Sequence, residues 1–320
     1  MDKRRILRLA AAVILAELTL AAAGFFRSQA ISLSIYLETG RVVRPSRTPD
    51  TEPSREPATE KTEPPASTEE ALDVPVFSAG DLDLLQMKYS CNYRPDLAAL
   101  LEQPLAWNLT DGQPAVLIIH THTTESYTGD YSASEDYRTL DESQNMLSIG
   151  DEVARILENG GIIVIHDREL HDYPDYNGAY TETRAAIKAY LKEYPTIRVV
   201  LDLHRDAAQT TEGQLVTSAT VGGQRSAQLM MVVGTDASGN HHPNWQENLS
   251  LALKLSVALE QENPGICRPI SLRSQRFNLD LTEGSLLVEV GAAGNTHEEA
   301  IIAANALAQA LLTLVHGANT

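Results

Sequence analysis

The stretch "VLIIHTHTTESY", residues 116–127, places His120, His122 and Glu125 directly after four aliphatic residues. Imidazoles and carboxylates are the side chains that bind zinc or move protons. A buried strand more commonly ends in Gly, Asn, Asp or Pro. "VVLDLHRDA" repeats the pattern, an aliphatic run closing on Asp202, His204, Arg205 and Asp206. "SLLVEVG" sets Glu289 between Val288 and Val290, where a carboxylate is costly to bury without a partner. Side by side, three such runs would bring imidazoles and carboxylates to one point. That is the composition of a catalytic zinc site, three N/O ligands with an open position for water and a carboxylate to take the water's proton. Taken singly, each run also has a structural reading. A histidine at a strand end is more often a core residue, "DLHRD" also suits a surface ion pair, and Glu289 could pair with Arg276. The joint placement is what favours chemistry.

Other chemistries lack their signatures. Neither Cys91 nor Cys267 has a histidine nearby in sequence, and no GxSxG elbow occurs. No GxGxxG or P-loop is present, so nucleotide chemistry is not indicated. The two cysteines fit no zinc-finger or thioredoxin spacing. A disulfide formed outside the cytoplasm and two unpaired thiols are both open readings. His166 and His171 in "HDRELHD" read as supporting residues, substrate contacts or solvated loop. His241 and His242 fall in a turn and could line a groove with Trp245, while His297 and His316 are inert helix positions.

The elements that must position these residues follow from hydrophobic period. Strands are expected at 116–119, 162–167, 197–204, 227–234 and 285–291. Helices are expected at 143–159, ended by Gly160-Gly161, at 180–194, stopped by Pro195, and at 244–262. A last helix opens on "THEEA", with Thr296 and Glu299 forming a capping box. Strands alternating with helices imply parallel βαβ units in an α/β layered fold. Ligands then bind at the carboxyl ends of the strands, where His120, His204 and Glu289 lie.

The chain has 320 residues, 43% of them hydrophobic, and a net charge of −18. An acidic surface repels phosphates, which argues against a nucleic-acid partner. Lys3, Arg4, Arg5 and Arg8 precede an apolar run, residues 9–26, broken only by Glu17. Residues 1–30 therefore read as a cytoplasmic stub and single membrane anchor, with everything beyond on the outer side of the cell membrane. A cleaved signal peptide is the alternative. Residues 31–75 form a linker rich in Pro, Thr, Ser and Glu, too polar to offset its ordering entropy. Residues 76–320 form the catalytic domain.

Several stretches, in order, resemble the stage II sporulation protein P family: "VLIIHTHTTESY", "NMLSIGDEVARILENGGIIVIHD", "HDYPDYNGAYTETR", "VVLDLHRDA", "GTDASGNHHPNWQENLSLALKL" and "RFNLDLTEGSLLVEVGAAGNTHEEA". The resemblance spans residues 80–317. It implies a three-layer, mostly parallel α/β fold with helices on both faces, phosphorylase/hydrolase-like as in zinc amidases. It implies a zinc-dependent peptidoglycan hydrolase that cuts the amide between muramic acid and the stem peptide, with endopeptidase cleavage of cross-links besides. The implied partners are stage II sporulation proteins D and M, in septal thinning and engulfment. Carried onto this sequence, His120, Glu125 and His204 are the expected zinc ligands, with Glu289 as the carboxylate that activates water. Arg205 is expected to orient the substrate or the developing oxyanion. His122 stays open as the alternative ligand, with Glu125 then in support. His171, Arg276 and Asn278 are expected to contact substrate. A catalytically silent wall-binding scaffold and a membrane-tethered zinc carboxypeptidase remain the competing functions.

Overall fold

The computed structural model describes residues 77–105, 107–129, 137–211 and 213–316, all within the compact unit Glu69–Thr320. The expected anchor and linker lie outside the described residues. A short 3-10 helix leads into β1 (Met87–Ser90), α1 (Leu97–Glu102) and β2 (Pro114–Ile119). Then come α2 (Met146–Asn159), β3 (Ile163–His166), α3 (Ala179–Glu193) and β4 (Val199–Asp206). Two small hairpins follow, β5–β6 (Gln209–Thr210, Gly213–Gln214) and β7–β8 (Ala219–Val221, Gln224–Ser226). The chain closes with β9 (Leu229–Val233), α4 (Trp245–Glu262), β10 (Ile270–Arg273), β11 (Gly284–Ala292) and α5 (His297–His316).

The main sheet has seven strands in the order β1-β10-β9-β11-β4-β2-β3. Every pairing is parallel except β11 with β9. The exception has a local cause. Parallel neighbours need a crossover of a dozen or more residues, usually helical. The loop from β10 to β11 is shorter and holds only a one-turn 3-10 helix, Leu279–Leu281, so the chain reverses. Hydrophobic period alone cannot reveal that reversal.

Side chains alternate across the sheet. Val116 and Ile118 of β2, Val199, Leu201 and Leu203 of β4, and Leu286, Val288 and Val290 of β11 face the large core with α2, α4 and α5. The other face is covered in two parts. Leu117, Ile119 and Val200 pack on Ile187 of α3. Met230, Val232 and Leu287 pack on Phe277 and Leu279. Asp202, His204 and Glu289 alternate with the large-core residues, so all three project from this second face.

Helix boundaries follow their caps. α2 begins three residues later than its apolar period predicts. Asp141 Oδ1 accepts from the Ser143 N–H at 3.0 Å and from its Oγ at 2.7 Å, an Asx turn. Asn145 then caps the helix by accepting from Leu147 N. The capping box of α5 is present: Glu299 N donates to Thr296 Oγ1 and Thr296 N to Glu299 Oε2, each at 3.2 Å. Among the described residues α5 is long and apolar enough to cross a membrane. It serves as a core helix, with Ala300, Ala303, Ala304, Leu307 and Leu311 buried.

Candidate active site

β2 stops at Ile119, and residues 121–124 fold as turns in which Glu125 N donates to His122 O. The turn separates two side chains that an extended strand would have kept on one face. His120 points to the large-core side. Its Nδ1–H donates to Leu203 O at 3.2 Å, and its Nε2 stands 2.9 Å from His166 Nε2. The far nitrogen of His166 meets Asp151 Oδ1 at 3.0 Å. Burial pushes His120 down to about 3, with His166 adding to the effect. The Nδ1–H of His120 is committed to Leu203 O, so its Nε2 and that of His166 share a single hydrogen. Gly150 makes room: a Cβ there would lie 2.4 Å from His166 Nε2 and 2.7 Å from His120 Nε2.

His122 takes the other direction. Its ring stacks on Tyr176 at 4.6 Å, and meets Tyr180 and His204 edge-on at 5.6 and 5.4 Å. Its Nδ1 is buried without a hydrogen-bond partner, with Asp172 Oδ2 4.0 Å away. His204 places Nδ1 3.4 Å from Glu125 Oε2. Its Nε2 lies 3.0 Å from Asp202 Oδ1, a charge contact too poorly aligned to count as a hydrogen bond. Asp202 is fixed by Thr121, whose N and Oγ1 donate to it at 2.8 and 2.6 Å. Burial works against a charge on His204, but Asp202 and Glu125 hold its pKa well above the ordinary imidazole value.

Glu125 is the hub. Burial opposes its ionisation, yet Arg205 and His204 hold its carboxyl down at about 2. Arg205 N donates to Glu125 Oε2 at 3.2 Å. The Arg205 guanidinium donates to Ser126 O and Tyr137 O at 3.0 Å each, and lies 3.5 Å from Glu125 Oε1. The structure therefore places Arg205 behind the carboxylate, as its support. Arg138 approaches Glu125 Oε1 from the other side at 3.5 Å and also binds Asp172. Glu289 pairs in register with His204 on the neighbouring strand. Its Oε2 is buried without a partner. Burial pushes its carboxyl up to about 8, against the pull of His204.

The residues expected to contact substrate have partners within the chain. His171 Nε2 binds Asp167 Oδ2 at 2.8 Å. Asn278 donates to Tyr180 O at 2.8 Å and accepts from Arg184 at 3.3 Å. It adopts a left-handed backbone with φ 60°, following Phe277 at φ 52°. Arg276 pairs with Asp280 at 3.1 Å, so the alternative in which it neutralises Glu289 is not the one made. Trp245 stacks on Tyr93 at 5.2 Å. His242 is fully buried, with neither ring nitrogen partnered. Both cysteines are free. Sequence reasoning missed Arg138, Asp172, Tyr176 and Tyr180. Three of them lie inside the motif "HDYPDYNGAYTETR", which was the available signal. Arg138 has no local signature.

His122, Glu125 and His204 could hold a zinc ion. Two buried imidazoles beside an ionised buried carboxylate are the donor chemistry zinc takes, His122 through its unpartnered Nδ1 and His204 through the Nδ1 that faces Glu125. Among the described residues no three acidic, histidine or cysteine side chains stand ready-made in metal-holding geometry. The Glu125–His204 contact would have to open to admit the ion.

A profile of the family described as Stage II sporulation protein P matches residues 29–312. The chain belongs to that family. The stage II sporulation protein P of Bacillus subtilis (strain 168) is 29% identical over 211 residues, 62% of this chain and 50% of that protein. The chain thus spans about half the length of the curated relative it matches. Among solved structures, the N-acetylmuramoyl-L-alanine amidase AmiC2 of Nostoc punctiforme is 14% identical at a TM-score of 0.38, covering 63% of this chain and 94% of that one. The CwlD amidase of Clostridioides difficile, solved in complex with the GerS lipoprotein, is 14% identical at a TM-score of 0.40, covering 63% and 98%. Likeness at that level assigns no role to any residue here.

Proposed function

We propose that this chain is a zinc-dependent peptidoglycan hydrolase that cleaves the amide between muramic acid and the first alanine of the stem peptide. One observation carries the reading. Two buried polar atoms without partners, His122 Nδ1 and Glu289 Oε2, adjoin His204 and its contact with Glu125 at the carboxyl ends of β2, β4 and β11, where an α/β fold binds its ligand. Unpaired buried polar groups are rare in folded proteins and call for a further partner. In this reading His122, Glu125 and His204 hold the zinc, which supplies a water acidified towards neutral pH and a polarised carbonyl. Glu289 takes the proton of the attacking water and returns it to the departing nitrogen. Its raised pKa suits a group that must both accept and give a proton near neutrality. Asp202 stands against His204 Nε2, behind the imidazole, which leaves Nδ1 on the Glu125 side as the nitrogen that would face the ion. Arg205 and Arg138 keep Glu125 ionised and in place. His120 belongs to the frame rather than to the ligand set.

Membership of the stage II sporulation protein P family supports a role in septal wall thinning during sporulation, beside stage II sporulation proteins D and M. The anchor read at residues 9–26 would hold the catalytic domain on the outer side of the cell membrane. Endopeptidase cleavage of peptide cross-links is part of the same proposal. The test is digestion of purified sacculi by the full chain in detergent, with and without a chelator, products being read by mass spectrometry. Free stem peptides that disappear with the chelator and return with zinc are the expected outcome. Cleavage of soluble peptides alone would leave a carboxypeptidase, and sacculus binding without any product would leave a scaffold.

A further inference from the structure

Across His122 from Glu289, the loop after β3 opens a cavity of about 270 Å³, lined by Thr124, Arg138, Thr139, Leu140, Asp172, Tyr173 and Tyr176. Six large hydrophobic side chains are exposed among the described residues, and three of them, Leu140, Tyr173 and Tyr176, lie in this one cavity. Scattered exposed hydrophobics need no explanation, whereas a cluster in a concavity marks a binding surface. The cavity borders the candidate active site, with Tyr176 as the wall between them. Tyr176 stacks on His122, and the Arg138 guanidinium sits 4.4 Å over the ring of Tyr176. Asp172 is not available to a ligand, because Thr124 N, Thr124 Oγ1 and Arg138 already satisfy it. What the cavity offers is aromatic and aliphatic surface with a polar rim.

The order of the strands decides which half of a substrate this surface meets. Glu289 on β11, His204 on β4, His122 after β2 and the cavity after β3 follow one another along the sheet edge. The carboxyl that returns a proton to the departing nitrogen must lie on the amine side of the scissile amide. The acyl half then extends the other way, past His122. In a muramoyl amide the acyl half is the lactyl arm of the sugar. A pyranose has an apolar face of C–H groups and a rim of hydroxyls, which suits a tyrosine with its flat apolar body and polar tip.

We infer that this cavity is the subsite for the glycan side of the substrate, with the exposed ring of Tyr173 stacking on the pyranose of the muramic acid and Leu140 packing against its substituents. The assignment rests on the amidase reading above. Its test needs no turnover: binding of a peptide-free tetrasaccharide of alternating N-acetylglucosamine and N-acetylmuramic acid, and separately of free stem peptide, to the full chain carrying Glu289→Gln in detergent. Tyr173→Ala and Leu140→Ala are each expected to weaken the tetrasaccharide about five- to tenfold and to leave stem peptide unchanged. Tyr173→Phe, which keeps the ring, should bind like the parent. Tetrasaccharide binding that ignores both alanine variants overturns the assignment, as does an effect confined to stem peptide. Failure of the amidase reading shows separately, as sacculi that yield no zinc-dependent stem peptides while the tetrasaccharide still binds.

Discussion

His120 and His122 are separated by one threonine, and their rings meet opposite surroundings. His120 gives one nitrogen to the Leu203 carbonyl and the other to His166, which is itself held by Asp151. His122 is nearly as buried, but its Nδ1 has no partner. Burying a polar atom unpaired costs about 1–3 kcal/mol. The first histidine avoids that cost within the protein, and the second carries it. On the proposed function, His120 is part of the frame and His122, beside Glu125 and Asp172, is where something from outside the chain belongs. The same contrast separates Arg205, whose donors are committed to Ser126, Tyr137 and Glu125, from Glu289, whose Oε2 is free.

Mutation can break this contrast at its strongest point first. Glu289→Gln should lower kcat on sacculi by about 10²–10⁴-fold while leaving the melting temperature and zinc content of the full chain unchanged. A variant of near-parental rate would remove Glu289 from the chemistry. His122→Ala should cost zinc affinity about 100-fold or more, by analogy with the loss seen when even a supporting residue of a metal site is removed. Competition with a chromophoric chelator measures it, and tight binding in this variant would return His120 to the ligand set. His120→Ala should do the reverse. It strands Leu203 O and His166, lowering unfolding stability by about 1–3 kcal/mol in denaturant titrations with zinc affinity kept within a few fold.

The smallest effect concerns a histidine on the satisfied side of the contrast. Burial opposes the charge on His171, but Asp167 raises its pKa above 6.5. Burial likewise opposes ionisation of Asp167, while His171 and the Glu169 amide hold it below 3.8. The His171 contribution is complete below pH 6.5 and is lost as pH rises through its higher folded value. The Asp167 contribution is present above 3.8 and is lost as pH falls through its lower folded value. His171→Asn should therefore destabilise the chain by about 1 kcal/mol most clearly between about pH 4 and 6.5, with the penalty shrinking by pH 9. A penalty that grew with alkalinity would show that the pair contributes through something other than charge.

Strand ends were the most legible part of the sequence. Aliphatic runs ending in "HTHTTE", "DLHRD" and "VEVG" gave both the strands and the polar residues at their ends, because a buried parallel strand reads as a continuous apolar run. β1 and β10, MKYS and ISLR, mix polar and apolar residues and make no aliphatic run, whereas the equally short β3 was legible from its unbroken IIVI. The antiparallel β9–β11 pairing depends on loop length, which hydrophobicity does not encode. In the site, the divergence of His120 and His122 is set by the turn after Ile119 and by the space left at Gly150. Arg138 reaches Glu125 and Asp172 from a loop with no pattern of its own, and only the folded chain brings it there.

Glu289 and His204 are neighbours by strand register, so their separation is fixed by main-chain hydrogen bonds between two central strands, about 4.8 Å apart. The surface inferred to meet the sugar comes entirely from loops. On the proposed function, the reacting geometry is a constant of the scaffold, and the choice of substrate is a variable attached to it. In that reading, exchanging the loops after β3 and around residues 137–140 should change which wall fragment is bound, while the spacing of Glu289 and His204 stays as the sheet sets it.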